Sequence, residues 1–275
     1  MPKTLIIKNK IKKFNKQIRV SGDKSLSIRW VLLASQAIGK SKGYNLLMSE
    51  DVLAAIDSIK KLGIKVRMQK NYCEIFGNGI NGFKYNKNLT INAKNSGTLG
   101  RLILGLLIKS PKKIKIIGDK SLSKRDFSRV TIPLEKFGVK FSYKIKNKLP
   151  LTILGTQSAE GIQYLENKGS AQCKSSIMLA ALNASGTTST KAKKSRNHTE
   201  LLFKYLKIPI KVRKTKKFDF IDIKKPKKIN AFNYQIPGDI SSSAFFMVLT
   251  TLANNSKLLI KNVNINPSRV GVITI

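Results

Sequence analysis

The chain has 275 residues, 41% of them hydrophobic, and its 53 basic and 14 acidic side chains give a net charge of +39. One histidine, His198, and two distant cysteines, Cys73 and Cys173, argue against a His-based zinc centre, a Ser-His-Asp triad and a disulfide framework. No apolar run reaches the roughly 18 residues of a membrane helix and Met1–Thr4 opens no signal-peptide core, so a cytoplasmic protein is expected.

In chain order, the first signal is Gly-Asp-Lys-Ser-Leu-Ser at Gly22–Ser27, followed by an apolar helix predicted over Trp30–Ile38. An amphipathic helix, Asp51–Leu62, then runs through Gly63 into the alternating stretch Ile64–Val66, a helix stop before a strand. The second copy has Asn95–Thr98 before an apolar helix at Leu102–Ile108, then a basic turn and the strand Ile114–Ile117. The hexapeptide recurs at Gly118–Ser123, ahead of an amphipathic helix, Phe127–Phe137, which Gly138 ends before Val139–Phe141. The third copy sets Ser170–Ser175 before an apolar helix at Ile177–Leu182, then Asn197–Leu206 and the strand Ile210–Val212. The fourth opens with the looser echo Gly-Asp-Ile-Ser-Ser-Ser at Gly238–Ser243. It continues through the apolar helix Ala244–Leu252 and the strand Leu258–Ile260 to Asn266–Val270, which resembles the helix start at Asp126–Val130.

Copies recur about every 70 to 75 residues, long enough for a compact α/β unit. The four apolar helices carry apolar residues on nearly every side and are expected to be buried. The last copy reaches Ile275 about one turn into a predicted helix, which reads as a piece of a longer protein.

Functional residues are sought where the copies differ. Ser, Thr, Asn and Asp at the four apolar helix starts are ordinary N-caps. Lys24 and Arg29 are not, because positive charge at a helix N-terminus opposes the macrodipole unless an anion sits between. Arg125, Arg129 and Arg196 start the second helices and supply planar forks for carboxylate or phosphate, although a solvated face would look the same. Gly97 allows close approach to backbone. Asp239 is one of few acids in a very basic chain, so it is the candidate base as well as a cap.

These residues resemble the family of 5-enolpyruvylshikimate-3-phosphate synthases. The resemblance rests on Gly22–Arg29, on Asn95–Thr98 with Arg101, and on Gly118–Leu122 with Arg125. It continues through Ser170–Ser175, Ser195–Glu200, Pro237–Ser242 and Asn266–Arg269, all in the family's order. It implies an α/β, two-domain enolpyruvyl transferase fold of repeated βαβαββ-type units around buried parallel helices. Residues 21–234 would form a complete three-repeat domain. Residues 1–20 plus 235–275 would form an incomplete second one, with crossings at Ser21-Gly22 and Pro237-Gly238 and helix N-termini facing an intervening cleft.

The implied reaction moves the enolpyruvyl group of phosphoenolpyruvate to the 5-hydroxyl of shikimate 3-phosphate, releasing phosphate, on the route to chorismate and the aromatic amino acids. By resemblance, Lys24, Ser25, Arg29, Ser170, Ala171, Gln172, Arg196 and Asp239 bind shikimate 3-phosphate. Lys24, Gly97, Arg125 and Gln172 bind phosphoenolpyruvate. Asp239 accepts the hydroxyl proton, and Lys24 is the second catalytic residue. No metal or organic cofactor is implied, the protein is expected to be a monomer, and Gly97 suggests a glyphosate-sensitive site. The family's further C-terminal glutamate, arginines and lysine have no counterparts in the sequence, so little or no turnover is expected of the 275 residues. Two positions depart from the pattern: Ser21 and Asp126 each stand where proline is usual. An Asp126 carboxylate could compete for Arg125.

Two alternatives share part of this pattern. UDP-N-acetylglucosamine enolpyruvyl transferase shares the Lys-Ser start but uses a mobile-loop cysteine, and Lys112–Lys124 contains none. A basic nucleic-acid-binding protein on the same scaffold would explain the charge. That charge is spread over the whole length without a basic tail or aromatic-basic stacking motif, which points to Lys-, Asn- and Ile-rich coding bias instead.

Overall fold

The computed structural model describes residues 11–70 and 72–273; residues 1–10 of the expected 1–20 segment, and the last two residues, lie outside it. The elements in chain order are β1 (Asn15–Ile18), α1 (Lys24–Ser35), β2 (Ile38–Tyr44), α2 (Glu50–Lys61), β3 (Lys65–Met68), β4 (Tyr72–Asn78) and β5 (Leu89–Asn92). Next come α3 (Gly97–Leu106), β6 (Ile114–Ile117), α4 (Lys120–Lys124), α5 (Ser128–Glu135), β7 (Lys140–Tyr143), β8 (Leu151–Leu154) and β9 (Gln163–Glu166). The rest are α6 (Ala171–Ala181), β10 (Thr187–Lys193), α7 (His198–Tyr205), β11 (Ile210–Lys214), β12 (Phe218–Lys224), β13 (Asn233–Gln235), α8 (Ile240–Leu252) and β14 (Lys257–Ile260). The chain divides into two compact units: Lys24–Ile236, and the described residues up to Asp23 together with those from Pro237.

In the larger unit three four-stranded sheets repeat one plan: β13-β2-β4-β3, β5-β6-β8-β7 and β9-β10-β12-β11. In each, the first pair is parallel and the others antiparallel, the signature of a βαβαββ unit. The first sheet takes its leading strand from the far end of the unit, where Asn233–Gln235 pair with Lys42–Tyr44.

Helices α1, α3 and α6 are buried along nearly their whole length and share one core with Trp30, Leu102, Ile103, Ile177 and Leu179. Backbones approach closely here: a methyl group at Gly105 would collide with the Ser176 carbonyl. These helices begin earlier than the apolar runs suggest: Lys24–Ser27 form the first turn of α1, Gly97 and Thr98 lie inside α3 and Ala171–Ser175 inside α6, with Ser96 and Ser170 as caps, and Ile38 instead opens β2. The second helices are amphipathic as expected. Gly63 (φ 83°) and Gly138 (φ 91°) end α2 and the α5 segment in the left-handed conformation, and Lys207 (φ 54°) takes that role after α7.

The smaller unit pairs β1 with β14 in parallel. Its helix α8 contradicts the expected burial: only Ile240 and Ser243 are enclosed, while Phe245 and Leu252 are each 79% exposed. Among the described residues this unit has two strands and a short 3-10 turn besides α8, too little to surround an apolar helix. That 3-10 turn, Val270–Ile273, stands where a helix from Asn266 was expected.

Candidate functional site

In the larger unit the candidate residues gather at the starts of α1, α3 and α6, and none of these helices has an acidic residue in its first turn. Lys24 opens α1, exposed, with its ammonium 3.7 Å from Asp51 of α2. Positive side chains and helix macrodipoles therefore add at the same helix ends, a field that an anion relieves. Ser25 is half-buried beside Lys24.

Arg29 turns inward. Its Nε donates to Thr199 Oγ1 at 2.8 Å, Nη2 to Ser175 Oγ at 3.0 Å and Nη1 to the Ser25 carbonyl at 3.0 Å. The two hydroxyls are 2.7 Å apart, so Arg29 ties α1 to α6 and α7.

At α3, Ser96 caps the helix by accepting from Leu99 N, and Gly97 is buried. A Cβ on Gly97 would sit 3.1 Å from Arg101 Nη1 and 3.3 Å from Arg125 Nη1. Space for a ligand beside Gly97 is thus bounded by two guanidinium groups. Arg125 reaches Asn95 Oδ1 at 3.5 Å, and Asn95 Nδ2 donates to Asp119 Oδ2 at 2.6 Å. Asp119 also caps α4 through Leu122 N; that amide, then Asn95, holds its carboxyl below the usual range. The second hexapeptide thus starts the short helix that carries Arg125. Asp126 accepts from Ser128 N and Oγ, so its carboxylate is engaged away from Arg125.

Gln172, near the start of α6, accepts from Arg101 Nη1 at 2.6 Å and donates to Thr98 Oγ1 at 3.0 Å. Ser170 caps α6 by accepting from Cys173 N, Ala171 is its first residue, and Arg196 is exposed on the segment before α7. Arg101, to which the motifs assign no role, is the side chain that holds Gln172. It is buried, donates to the Asp126 carbonyl and lies 5.1 Å from the Phe127 ring. Burial lowers its pKa from the ordinary value, and Arg129 and Arg125 lower it further. The available signal was an arginine at the head of the apolar run Leu102–Leu107.

In the smaller unit Asp239 caps α8 by accepting from Ser241 N at 2.8 Å. Arg269 lies between two carboxylates, with Nη2 3.4 Å from Asp239 Oδ1 and Nη1 3.2 Å from Asp23 Oδ2. Arg269 also donates to Ser241 Oγ, and Asn264 Nδ2 donates to Asp23. Backbones meet too: Gly22 and Gly238 form an antiparallel bridge, Asp23 N donates to the Pro237 carbonyl and Asp239 N to the Ser21 carbonyl. Two Gly-Asp echoes of the sequence therefore lie side by side, gripped by one arginine.

Residues 8–275 match the family described as EPSP synthase (3-phosphoshikimate 1-carboxyvinyltransferase). The chain belongs to the EPSP synthase family. It is 36% identical over 270 residues to the 3-phosphoshikimate 1-carboxyvinyltransferase of Bacillus subtilis (strain 168), covering 98% of this chain and 62% of that protein. With the enzyme of the same name from Streptococcus pyogenes serotype M2 the identity is 39% over 260 residues, covering 94% and 59%. The solved EPSP synthase of Acinetobacter baumannii superposes with a TM-score of 0.87 at 34% identity, over 96% of this chain and 59% of that one. The chain thus spans about three fifths of the length of these EPSP synthases.

Proposed function

We propose that the chain carries the substrate-binding residues of an enzyme that transfers the enolpyruvyl group of phosphoenolpyruvate to the 5-hydroxyl of shikimate 3-phosphate. Asp239 takes the hydroxyl proton as the oxygen bonds to the enolpyruvyl C2, and a proton is added at C3. Phosphate then leaves as C3 gives up a proton, restoring the enol ether. Lys24 offsets charge on both ligands. Ser25, Arg29, Ser170, Ala171, Gln172 and Arg196 serve shikimate 3-phosphate; Gly97, Arg125 and Gln172 serve phosphoenolpyruvate. Arg29 acts through Ser175 and Thr199 as much as by direct contact, given its inward hydrogen bonds. The reading includes a cytoplasmic monomer without a cofactor. Two buried free thiols suit a reducing compartment.

The observation that carries this reading is the set of three helix starts without acidic residues, with Lys24 on the first, Arg125 beside Gly97 on the second, Arg196 on the segment before α7, and the Arg101–Gln172–Thr98 bridge joining the second to the third. Calorimetric titration of the 275-residue chain with shikimate 3-phosphate tests it. Saturable binding tighter than that of inorganic phosphate, weakened tenfold or more by Arg196→Ala, is expected. No saturable binding, with salt-sensitive retention of DNA instead, would sink the reading.

A further inference from the structure

In a chain with 53 basic residues, lysine on the surface is unremarkable. Lys174 is different: it is the one fully buried lysine among the described residues. Its ammonium meets the Glu200 carboxylate at 2.6 Å, with side-chain exposures of 0% and 5%. Neither the ammonium nitrogen nor the carboxylate oxygens have a hydrogen-bond partner beyond this pairing among the described residues. Such a pair loses hydration on both sides without further bonds to compensate, so it is a poor stabiliser compared with two apolar side chains. Lys174 bears a second cost, because it lies in the opening turns of α6, where the macrodipole disfavours positive charge.

The pair's position suggests what it does instead. Lys174 stands two residues after Gln172, and Glu200 four after Arg196. The next rung, Ser175 with Thr199, is hydrogen-bonded at 2.7 Å and held by Arg29. Two consecutive rungs, 174 with 200 and 175 with 199, thereby set the start of α7 against the start of α6. We propose that Lys174 and Glu200 are positioning residues: their ion pair fixes the Ser195–Asn197 segment, and with it Arg196, in register with Ser170–Gln172, and so sets affinity for a phosphorylated ligand. This rests on the shikimate 3-phosphate reading for the ligand, though not for the register.

The test is to replace both members together, Lys174→Met with Glu200→Leu, which removes the charges without leaving one buried alone. Thermal melting at or above that of the unsubstituted chain is expected. Alongside it, at least a tenfold loss of shikimate 3-phosphate affinity and at least fivefold faster backbone hydrogen exchange at residues 195–199 are expected. A folded double variant with unchanged affinity and unchanged exchange would overturn the proposal. If the unsubstituted chain does not bind shikimate 3-phosphate, the functional reading fails and exchange alone decides the register. Should the double variant not fold, Lys174→Gln with Glu200→Gln, which keeps polar side chains of similar shape, is judged by the same two readouts.

Discussion

Helices α6 and α8 start alike and end in opposite surroundings. Each opens with a polar residue capping its first turn, Ser170 or Asp239, and each continues as an apolar run. Yet residues 173–181 of α6 are all buried, whereas Phe245, Val248 and Leu252 of α8 stand in the open. Apolar composition on every side states what a helix requires, not what supplies it. In the larger unit α3, α5, β10 and β12 pack against α6, and α1, α3 and α7 are tied to its first two turns by polar contacts. The described part of the smaller unit has no such set.

Truncating one side chain on each helix should give the largest contrast. Ile177→Ala in α6 should cost about 2–5 kcal/mol, because it opens a cavity among close-packed neighbours. Phe245→Ala in α8 should change stability by about 0.5 kcal/mol or less. Urea unfolding of both variants checks the contrast, and equal losses would mean that α8 is as enclosed as α6.

A gentler probe uses the thiols. Burial pushes Cys73 and Cys173 up to about 12 from an ordinary 9.0. Cys173 lies on α6, so it reports on that helix directly. Both should resist an aromatic disulfide reagent at pH 8 in the native chain and react together on unfolding. Because the folded values are raised, the unfolded chain loses these protons first as pH rises. Their contribution to stability is complete below pH 9 and drains away between about 9 and 12. A melting temperature unchanged from pH 8 to 11 would show that neither thiol is shielded.

The smallest effect is expected at Gly97. Its missing Cβ faces two guanidinium ends, that of exposed Arg125, which can yield by a few tenths of an ångström, and that of Arg101, which Gln172 holds. Gly97→Ala should leave melting nearly unchanged and weaken phosphoenolpyruvate binding more than shikimate 3-phosphate binding, as titration with each ligand would show. Equal effects on both ligands would remove Gly97 from the phosphoenolpyruvate side.

Much of this architecture was legible because it is written locally. The apolar helices, the stops at Gly63 and Gly138 and the amphipathic second helices all follow from residues within one or two turns. What escaped depends on distant partners. Nothing near Asn233 announces a strand, since its partner Lys42 lies 191 residues away. Nothing near Lys174 distinguishes it from the many solvated lysines until Glu200 comes beside it. Motif order led to Lys24, Gly97, Arg125, Gln172 and Asp239, but it could not show that Arg29 points inward or that Arg101 holds Gln172. Those are facts of side-chain direction, which spacing along the chain does not encode.

The parallel pairing of β13 with β2 has a consequence for how this molecule is made. The first sheet has its central strands early, yet the strand that finishes its edge is among the last parts of the larger unit to leave the ribosome. At about 5–20 residues per second, the 191 residues that separate Lys42 from Asn233 take about 10–40 s to synthesise. Throughout that interval the β2 edge is an unfilled template in a growing chain, and the first sheet is complete only when the unit's newest strand meets its oldest.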